Sequence, residues 1–183
     1  MSNNKISIVS GASRGLGLVI TKLLLARNET VITISRGKVE LELEKEKQTL
    51  IHNVYGDVQN VETWNSVKKI LVEKQESKID FQLVGLVLNA GVLTPMSSLA
   101  DVDVNEWTSA IQINLVSNVL ALRTLMPFLR ASKSRVIAIS SGAAKTAYRG
   151  WSAYSWFSFF FFFSFFRFFF SFFFFLFLIK ICF

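Results

Sequence analysis

Short apolar runs rich in β-branched residues alternate with longer segments of helical character along the first 155 residues of the chain. Apolar runs of about four to eight residues that end at turn residues predict β-strands. The five predicted strands cover residues 6–10, 30–35, 50–55, 81–88 and 135–140. The fourth run is almost continuously apolar, which is typical of a strand buried on both faces.

Four segments between these strands have the pattern of helices. They cover residues 16–27, 39–48, 61–76 and 105–130. Strands that alternate with helices indicate βαβ units with right-handed crossovers, and such units build a doubly wound parallel sheet. The sequence therefore predicts an α/β fold with a parallel sheet of about five strands.

The final 27 residues interrupt this alternation. Residues 157–183 hold 17 of the 19 phenylalanines, and 22 of these 27 residues are apolar. The apolar fraction of 51% is therefore an average of two populations, and residues 1–156 alone have about 46%, an ordinary value for a globular domain. We interpret residues 1–156 as one partial globular domain and residues 157–183 as a low-complexity Phe-rich tail.

Charge and metal-ligand content exclude several classes of protein. The chain has 20 Lys and Arg against 13 Asp and Glu, a net charge of +7, but its lysines are interleaved with glutamates as on solvated helix faces. We therefore expect no nucleic-acid partner. Cys182 and His52 are the only thiol and imidazole, which excludes an internal disulfide and a four-ligand zinc site of those groups. The first residues contain no apolar run of the signal-peptide type, so the expected location is the cytoplasm.

A glycine-rich turn follows the first predicted strand, with the spacing G-x-x-x-G-x-G. Gly11 permits a tight turn, Gly15 lets backbone N–H groups approach a pyrophosphate, and Gly17 lets the helix pack close to the strand. The start of the helix adds a partial positive charge. We expect a dinucleotide phosphate site here, with an ordinary βα turn as the alternative. The remaining residues of this expected loop are Ser13, Arg14 and Leu16.

The end of the second predicted strand indicates which dinucleotide is bound. A fold that prefers NAD places Asp or Glu there to bind the ribose 2′-hydroxyl, whereas this strand ends in Ser35-Arg36 with no acid before Glu40. A guanidinium attracts a 2′-phosphate, and Arg14 could reach the same group. The sequence therefore favours NADP, with NADPH preferred over NADH, and the alternative for Arg36 is a plain surface arginine.

Several motifs together resemble the classical short-chain dehydrogenase/reductase family, whose fold is of the Rossmann type. The loop at 10–17 matches the family pattern T-G-x-x-x-G-x-G with Ser10 in place of Thr, and residues 88–91, Leu-Asn-Ala-Gly, match N-N-A-G. The match runs from about residue 5 to about residue 155, and details at 89–95 and 151–154 look like fungal carbonyl reductases of the sepiapterin or benzil reductase type. The resemblance adds Asp57, Asn89, Ala90 and Gly91 to the expected cofactor-binding residues.

The resemblance also implies a catalytic set and a reaction. Ser141 and Tyr154 lie 13 residues apart, as the catalytic Ser and Tyr of the family do, and Asn114 matches its helical active-site Asn. The implied reaction is hydride transfer between a nicotinamide and a small-molecule carbonyl substrate. Tyr154 would act as general acid, Ser141 would hydrogen-bond the same substrate oxygen, and Asn114 would hold a water in the proton path.

One element of the family's catalytic set is absent. The family places a lysine four residues after the tyrosine, where its charge lowers the phenol pKa from about 10 and its ammonium binds the nicotinamide ribose. Ser158 occupies that position here. We therefore predict that this chain is severely impaired as an enzyme. The alternative class is a non-catalytic nucleotide-binding or membrane-tethered fragment.

Three interpretations compete for residues 157–183. The tail is long enough for a transmembrane helix, although Arg167 would cost about 2.5–3.5 kcal/mol there. A buried core segment is the second, and nothing remains in the chain to cover so much aromatic surface. The third, which we favour, is pyrimidine-rich DNA read as protein after an unspliced intron or a frameshift.

Members of the family usually form homodimers or homotetramers, partly through the helix that begins at the catalytic tyrosine. The tail interrupts that helix in this chain. Association with a membrane is expected only if the tail is genuine.

Overall fold

A five-stranded parallel sheet forms the centre of the computed structural model, which describes residues 4–42, 45–144, 146, 148–155 and 179–180. Its strands stand in the order β3-β2-β1-β4-β5, and all four pairings are parallel. The predicted doubly wound sheet is therefore confirmed. The strands are β1 (Lys5–Ser10), β2 (Thr30–Ser35), β3 (Ile51–Tyr55), β4 (Gln82–Leu88) and β5 (Arg135–Ala138).

Helices connect the strands of the sheet. The long helix predicted at 105–130 begins one residue earlier and is interrupted by a π-helical turn over Gln112–Val116. Asp103 caps its start, because the Asp103 carboxylate accepts from two backbone N–H groups of the first turn. The α-helices are α1 (Gly15–Ala26), α2 (Val61–Glu76), α3 (Val104–Ile111) and α4 (Ser117–Ala131).

The helix predicted at 39–48 is wrong in type. Residues 38–42 have no regular structure, and only a 3₁₀ helix over Lys45–Leu50 precedes β3. The reason is the period of the sequence Val-Glu-Leu-Glu, which alternates every two residues rather than every 3.6. An extended chain packs Val39 and Leu41 against the core under α1 and leaves Glu40 and Glu42 exposed.

Both faces of the sheet carry an apolar core. The consecutive residues Ile8 and Val9 are each fully buried and belong to separate clusters, as expected for side chains that alternate across a strand. One cluster packs against α2 and α4 around Trp64, and the other packs against α1 around Leu25. The sheet is thus covered on both sides, which agrees with the continuous apolar runs of its strands.

The chain beyond β5 contributes short elements only. Strand β6 (Ser140–Ser141) pairs in parallel with β7 (Ile179–Lys180), and residues 152–155 form one helical turn. The proposed division at residue 156, the Phe-rich tail and its membrane interpretation fall almost entirely on positions that lie outside the described residues. Within the described ranges, no helix combines the length and the apolar character needed to cross a bilayer.

The order of the strands creates a switch point. The chain leaves β1 toward β2 and β3 on one side and later returns to β4 and β5 on the other, so that β1 and β4 are neighbours. Loops at the carboxyl ends of these two strands diverge and leave a crevice, which is where open α/β sheets bind ligands. The residues that follow β1 and β4 are therefore the expected location of a ligand site.

A half-buried histidine gives the fold a pH dependence. Burial lowers the pKa of His52 in β3, and the positive charge of Lys74 lowers it further. The folded state then binds a proton less readily than the unfolded chain, whose His has a pKa of about 6.5. We expect the free energy of unfolding to decrease as the pH falls below about 6.5 toward the folded pKa. Urea unfolding at a series of pH values measures this, and a His52→Gln variant with an unchanged slope in that window would contradict it.

Candidate cofactor pocket and active site

The glycine loop after β1 has the geometry that its spacing predicts. Gly11 has φ +67°, and its N–H donates to the Ile34 carbonyl at 2.8 Å. A Cβ atom on Gly17 would lie 2.2 Å from the Gly11 carbonyl oxygen, so that only glycine permits this approach of α1 to the loop. Gly15 has φ +54° and open space where a side chain would be. The loop is thus closed toward the sheet and open on the outside.

The first turn of α1 has the features of an anion site. Its N-cap residue, Arg14, is extended and gives no side-chain hydrogen bond to the helix, and the first turn contains no acidic residue. The N–H groups of such a turn are free of competing caps and carry the positive end of the helix dipole. The start of α1 therefore has N–H groups and a partial positive charge that fit a phosphate group.

A network of five hydrogen bonds joins the ends of β1 and β4, and in one of them the Ser10 hydroxyl donates to the Val87 carbonyl at 3.3 Å. The Ser10 hydroxyl accepts from the N–H groups of Asn89 at 3.0 Å and Ala90 at 3.1 Å. The Asn89 amide donates to the carbonyls of Ser10 at 3.0 Å and Gly11 at 3.2 Å. Sequence reasoning identified Asn89 but treated Ser10 only as a replacement for Thr. The retained hydroxyl was the signal that would have identified it, because Ser and Thr both supply this acceptor.

A cavity of about 500 Å³ lies above this network. It contains ten of the eleven predicted cofactor-binding residues, and the eleventh, Gly17, lies beneath it in the helix–loop contact. Seven further residues line the cavity that sequence reasoning did not assign to it: Ile34, Ser35, Gly37, Gly56, Val58, Val92 and Ile113. The predicted residues that line it are Gly11, Ser13, Arg14, Gly15, Leu16, Arg36, Asp57, Asn89, Ala90 and Gly91.

Two charged residues face each other at the rim of this cavity. The Arg36 guanidinium lies 3.8 Å from the Asp57 carboxylate, whose other oxygen accepts from the N–H of Gln59 at 3.0 Å. The Arg36 side chain is 68% exposed. A pair this exposed and this long contributes at most about 1 kcal/mol, so that little free energy holds Arg36 to Asp57.

Asn114 lies in the π-helical turn and is fully buried. Its amide accepts from the N–H of Val92 and donates to the carbonyl of the same residue, each at 2.8 Å. Its own backbone carbonyl accepts from the Asn118 amide at 2.7 Å. Asn114 thus attaches the helix to the segment that follows β4, which is one wall of the cavity.

The two remaining predicted catalytic residues lie beyond β5. Ser141 is buried in β6, where its hydroxyl accepts from the N–H of Ala143 at 3.3 Å. Tyr154 is 8% exposed in the turn at 152–155, and its ring makes an edge contact with Trp151. The Trp107 indole donates to the Ser152 hydroxyl at 3.1 Å and ties this turn to α3. Ser158, which stands where the family has lysine, lies outside the described residues.

The fold and the cavity at its switch point define a Rossmann-type α/β protein. A model of the short chain dehydrogenase family matches residues 5–156. The chain therefore belongs to the short-chain dehydrogenase family, a family of nicotinamide-dependent oxidoreductases, and the resemblance seen in its motifs is confirmed.

Individual proteins are similar over the same region. An uncharacterized oxidoreductase of Schizosaccharomyces pombe is 35% identical over 153 residues, which cover 82% of this chain and 58% of that protein. A benzil reductase ((S)-benzoin forming) of Bacillus cereus is 33% identical over 154 residues, which cover 80% of this chain and 60% of that protein. The crystal structure of the KRED1-Pglu enzyme superposes with a TM-score of 0.73 at 35% identity, covering 85% of this chain and 64% of that one. The chain thus spans about three fifths of the length of the curated relatives it matches.

The contact between Gly17 and Gly11 gives a direct test of the loop geometry. We expect Gly17→Ala to lower the free energy of unfolding by about 1–3 kcal/mol, because its Cβ would overlap the Gly11 carbonyl. Gly37→Ala is the matched control, since a Cβ there has no neighbour within 4 Å, and we expect a change below about 0.5 kcal/mol. Urea unfolding measures the free energy of unfolding of both variants. Equal losses in the two would show that the close approach of α1 to Gly11 does not require glycine at position 17.

Proposed function

We propose that this chain is an NADPH-binding, carbonyl-reducing member of its family whose turnover is strongly impaired. The observation that carries the proposal is the cavity at the switch point, which is lined by an open glycine loop, an uncapped helix start and two arginines. Backbone N–H groups and positive charge are the features that a dinucleotide pyrophosphate requires.

The preference for NADPH follows from the rim of the cavity. Arg36 follows β2 directly, and Arg14, in the glycine loop, lines the same cavity. The weak contact with Asp57 leaves the Arg36 guanidinium free to exchange its carboxylate partner for a 2′-phosphate, which carries more charge. Asp57 would then keep its bond from Gln59 and remain available to the adenine ring, beside which the family has an acidic residue at this position.

The reduction itself assigns a role to each predicted catalytic residue. Bound NADPH would supply the hydride to the carbonyl carbon. Tyr154 would donate its phenolic proton to the carbonyl oxygen, and Ser141 would hydrogen-bond that oxygen. Asn114 would hold a water at the second lone pair of its backbone carbonyl, which already accepts from Asn118, because its side-chain amide is bonded on both sides to Val92. The names of the benzil reductases among the relatives support a ketone, aldehyde or diketone as the substrate class.

Arg36 provides the test of cofactor preference. We expect Arg36→Ala to weaken NADPH binding about tenfold or more, because a charge-assisted bond to the 2′-phosphate is lost and the Asp57 carboxylate near that phosphate has no Arg36 charge beside it. NADH binding should change by less than about twofold, since NADH has no phosphate at that position. Fluorescence titration of both cofactors measures the effect, with Arg123→Ala on the exposed face of α4 as the control. Equal weakening of NADPH and NADH would argue against a 2′-phosphate contact.

The replacement of the family's lysine by Ser158 provides the test of turnover. General acid catalysis contributes about 10²–10⁴-fold, and a serine supplies no charge to assist Tyr154. We expect the chain to reduce benzil with NADPH at least about a hundredfold more slowly than a lysine-bearing benzil reductase, measured by NADPH consumption.

A pair of variants separates impaired catalysis from a non-catalytic function. Ser158→Lys should raise the rate, whereas Ser164→Lys, a control with the same change in the same tail, should not. A wild-type rate comparable to that of the lysine-bearing enzyme would refute the impairment. Tight NADPH binding with no gain in Ser158→Lys would favour the alternative of a nucleotide-binding protein without turnover.

A further inference from the structure

Three aromatic residues form a continuous row beside the proposed catalytic pair. The rings of Tyr148 and Trp151 lie 4.9 Å apart between centroids, with a tilt of 40°. The rings of Trp151 and Tyr154 lie 5.9 Å apart at 85°, an edge-to-face arrangement. The proposed acid, Tyr154, is therefore the inner end of an aromatic row whose outer end is Tyr148.

The outer ring turns back toward the serine side of the site. A Cβ atom on Gly142 would lie 3.9 Å from the Tyr148 hydroxyl oxygen, and Gly142 directly follows Ser141 in the chain. Tyr148 thus approaches the serine segment with its hydroxyl and the Tyr154 segment through Trp151. A carbonyl group held between Ser141 and Tyr154 would carry its substituent next to this ring.

The local backbone holds Tyr148 in this position. The N–H of Trp151 donates to the Tyr148 carbonyl at 3.1 Å, and the chain reverses at Gly150, which has φ +81°. The N–H of Ser97 donates to the Gly150 carbonyl at 3.0 Å and anchors the turn to the segment after β4. The aromatic row is therefore held in place before any ligand arrives, which lowers the entropic cost of binding.

The outer part of the row is accessible. Tyr148 is 47% exposed, and Met96, whose backbone adjoins Gly150, is 58% exposed. Tyr154 at the inner end is only 8% exposed. A preformed aromatic face that opens to solvent at one end is suited to a flat aromatic group, because offset or edge-to-face ring contacts favour it.

We infer that Tyr148 is a specificity-determining residue, which together with Trp151 forms an aromatic wall that selects carbonyl compounds bearing an aryl group over aliphatic ones. The inference rests on the proposed function, since it assumes that the carbonyl group lies between Ser141 and Tyr154. It assigns no proton or hydride to Tyr148, whose role is contact with the substituent.

Binding measured without turnover tests this inference separately from catalysis. The full chain is saturated with NADP⁺, which holds the cofactor site but cannot deliver hydride, and the affinities of benzil and biacetyl are measured by ligand-observed NMR. Benzil carries two phenyl groups and biacetyl two methyl groups on the same diketone. We expect Tyr148→Leu to weaken benzil binding about fivefold, the equivalent of one lost aromatic contact, and to leave biacetyl within twofold.

Two matched variants serve as controls, one for the presence of the aromatic ring at position 148 and one for the position of the substituted tyrosine. Tyr148→Phe retains the ring and should bind benzil within twofold of the wild type. Tyr55→Leu makes the same change at an exposed tyrosine in β3 and should leave both ligands unaffected. Unchanged NADPH titration and thermal unfolding show that each variant is folded.

The outcomes separate the inference from the function on which it rests. A selective loss of benzil in Tyr148→Leu, rescued in Tyr148→Phe, supports the aromatic wall. Equal losses of benzil and biacetyl, or no loss of either, overturn the inference and leave the proposed reductase function standing. Failure of the wild-type chain to bind either diketone in the presence of bound NADP⁺ overturns both.

Discussion

The hydrogen bonds between Ser10 and Asn89 are the constraint on which the site depends. At a switch point the neighbouring strands lead into loops that diverge, and the N–H groups of Asn89 and Ala90 would otherwise have no partner. The Ser10 hydroxyl accepts from both, and the Asn89 amide returns bonds to the carbonyls of Ser10 and Gly11. The two strand ends are thereby held together beneath the cavity. The glycine loop and the segment after β4, which form its opposite walls, are built on this junction.

The ion pair at the rim of the cavity is weak enough for either partner to exchange it for another contact. Arg36 and Asp57 satisfy each other only loosely, at 3.8 Å and with the arginine largely in solvent. A tight buried pair would have to be broken at considerable cost before a ligand could bind, whereas an exposed pair costs little to exchange. The first turn of α1 likewise has no side-chain cap that a ligand would have to displace. Both features suit the anionic cofactor that we propose for this site.

Individual elements show how far the sequence predicts this structure. Residues 61–76 form the predicted helix, because Trp64, Val67 and Leu71 recur at the spacing of one helix face and that face is buried. The segment at 39–48 was misjudged, since its Glu and Lys content suggested a helix while its period of two suits an extended chain. The π-helical turn at Gln112–Val116 was not predicted, and Asn114 within it bonds to Val92, a residue distant in the chain whose position the local sequence does not reveal.

The sequence by itself determined the parallel α/β fold, the glycine loop and the family, because hydrophobic period and glycine spacing are local properties of the chain. The sequence also places Ser158 four residues after Tyr154, where the family has lysine. Tertiary structure decided which residues meet. The contact of Arg36 with Asp57 and the approach of Tyr148 to Gly142 arise from the packing of separate elements, and no spacing along the chain encodes them. Such contacts are long-range, so they follow only once the sheet has brought its strand ends together.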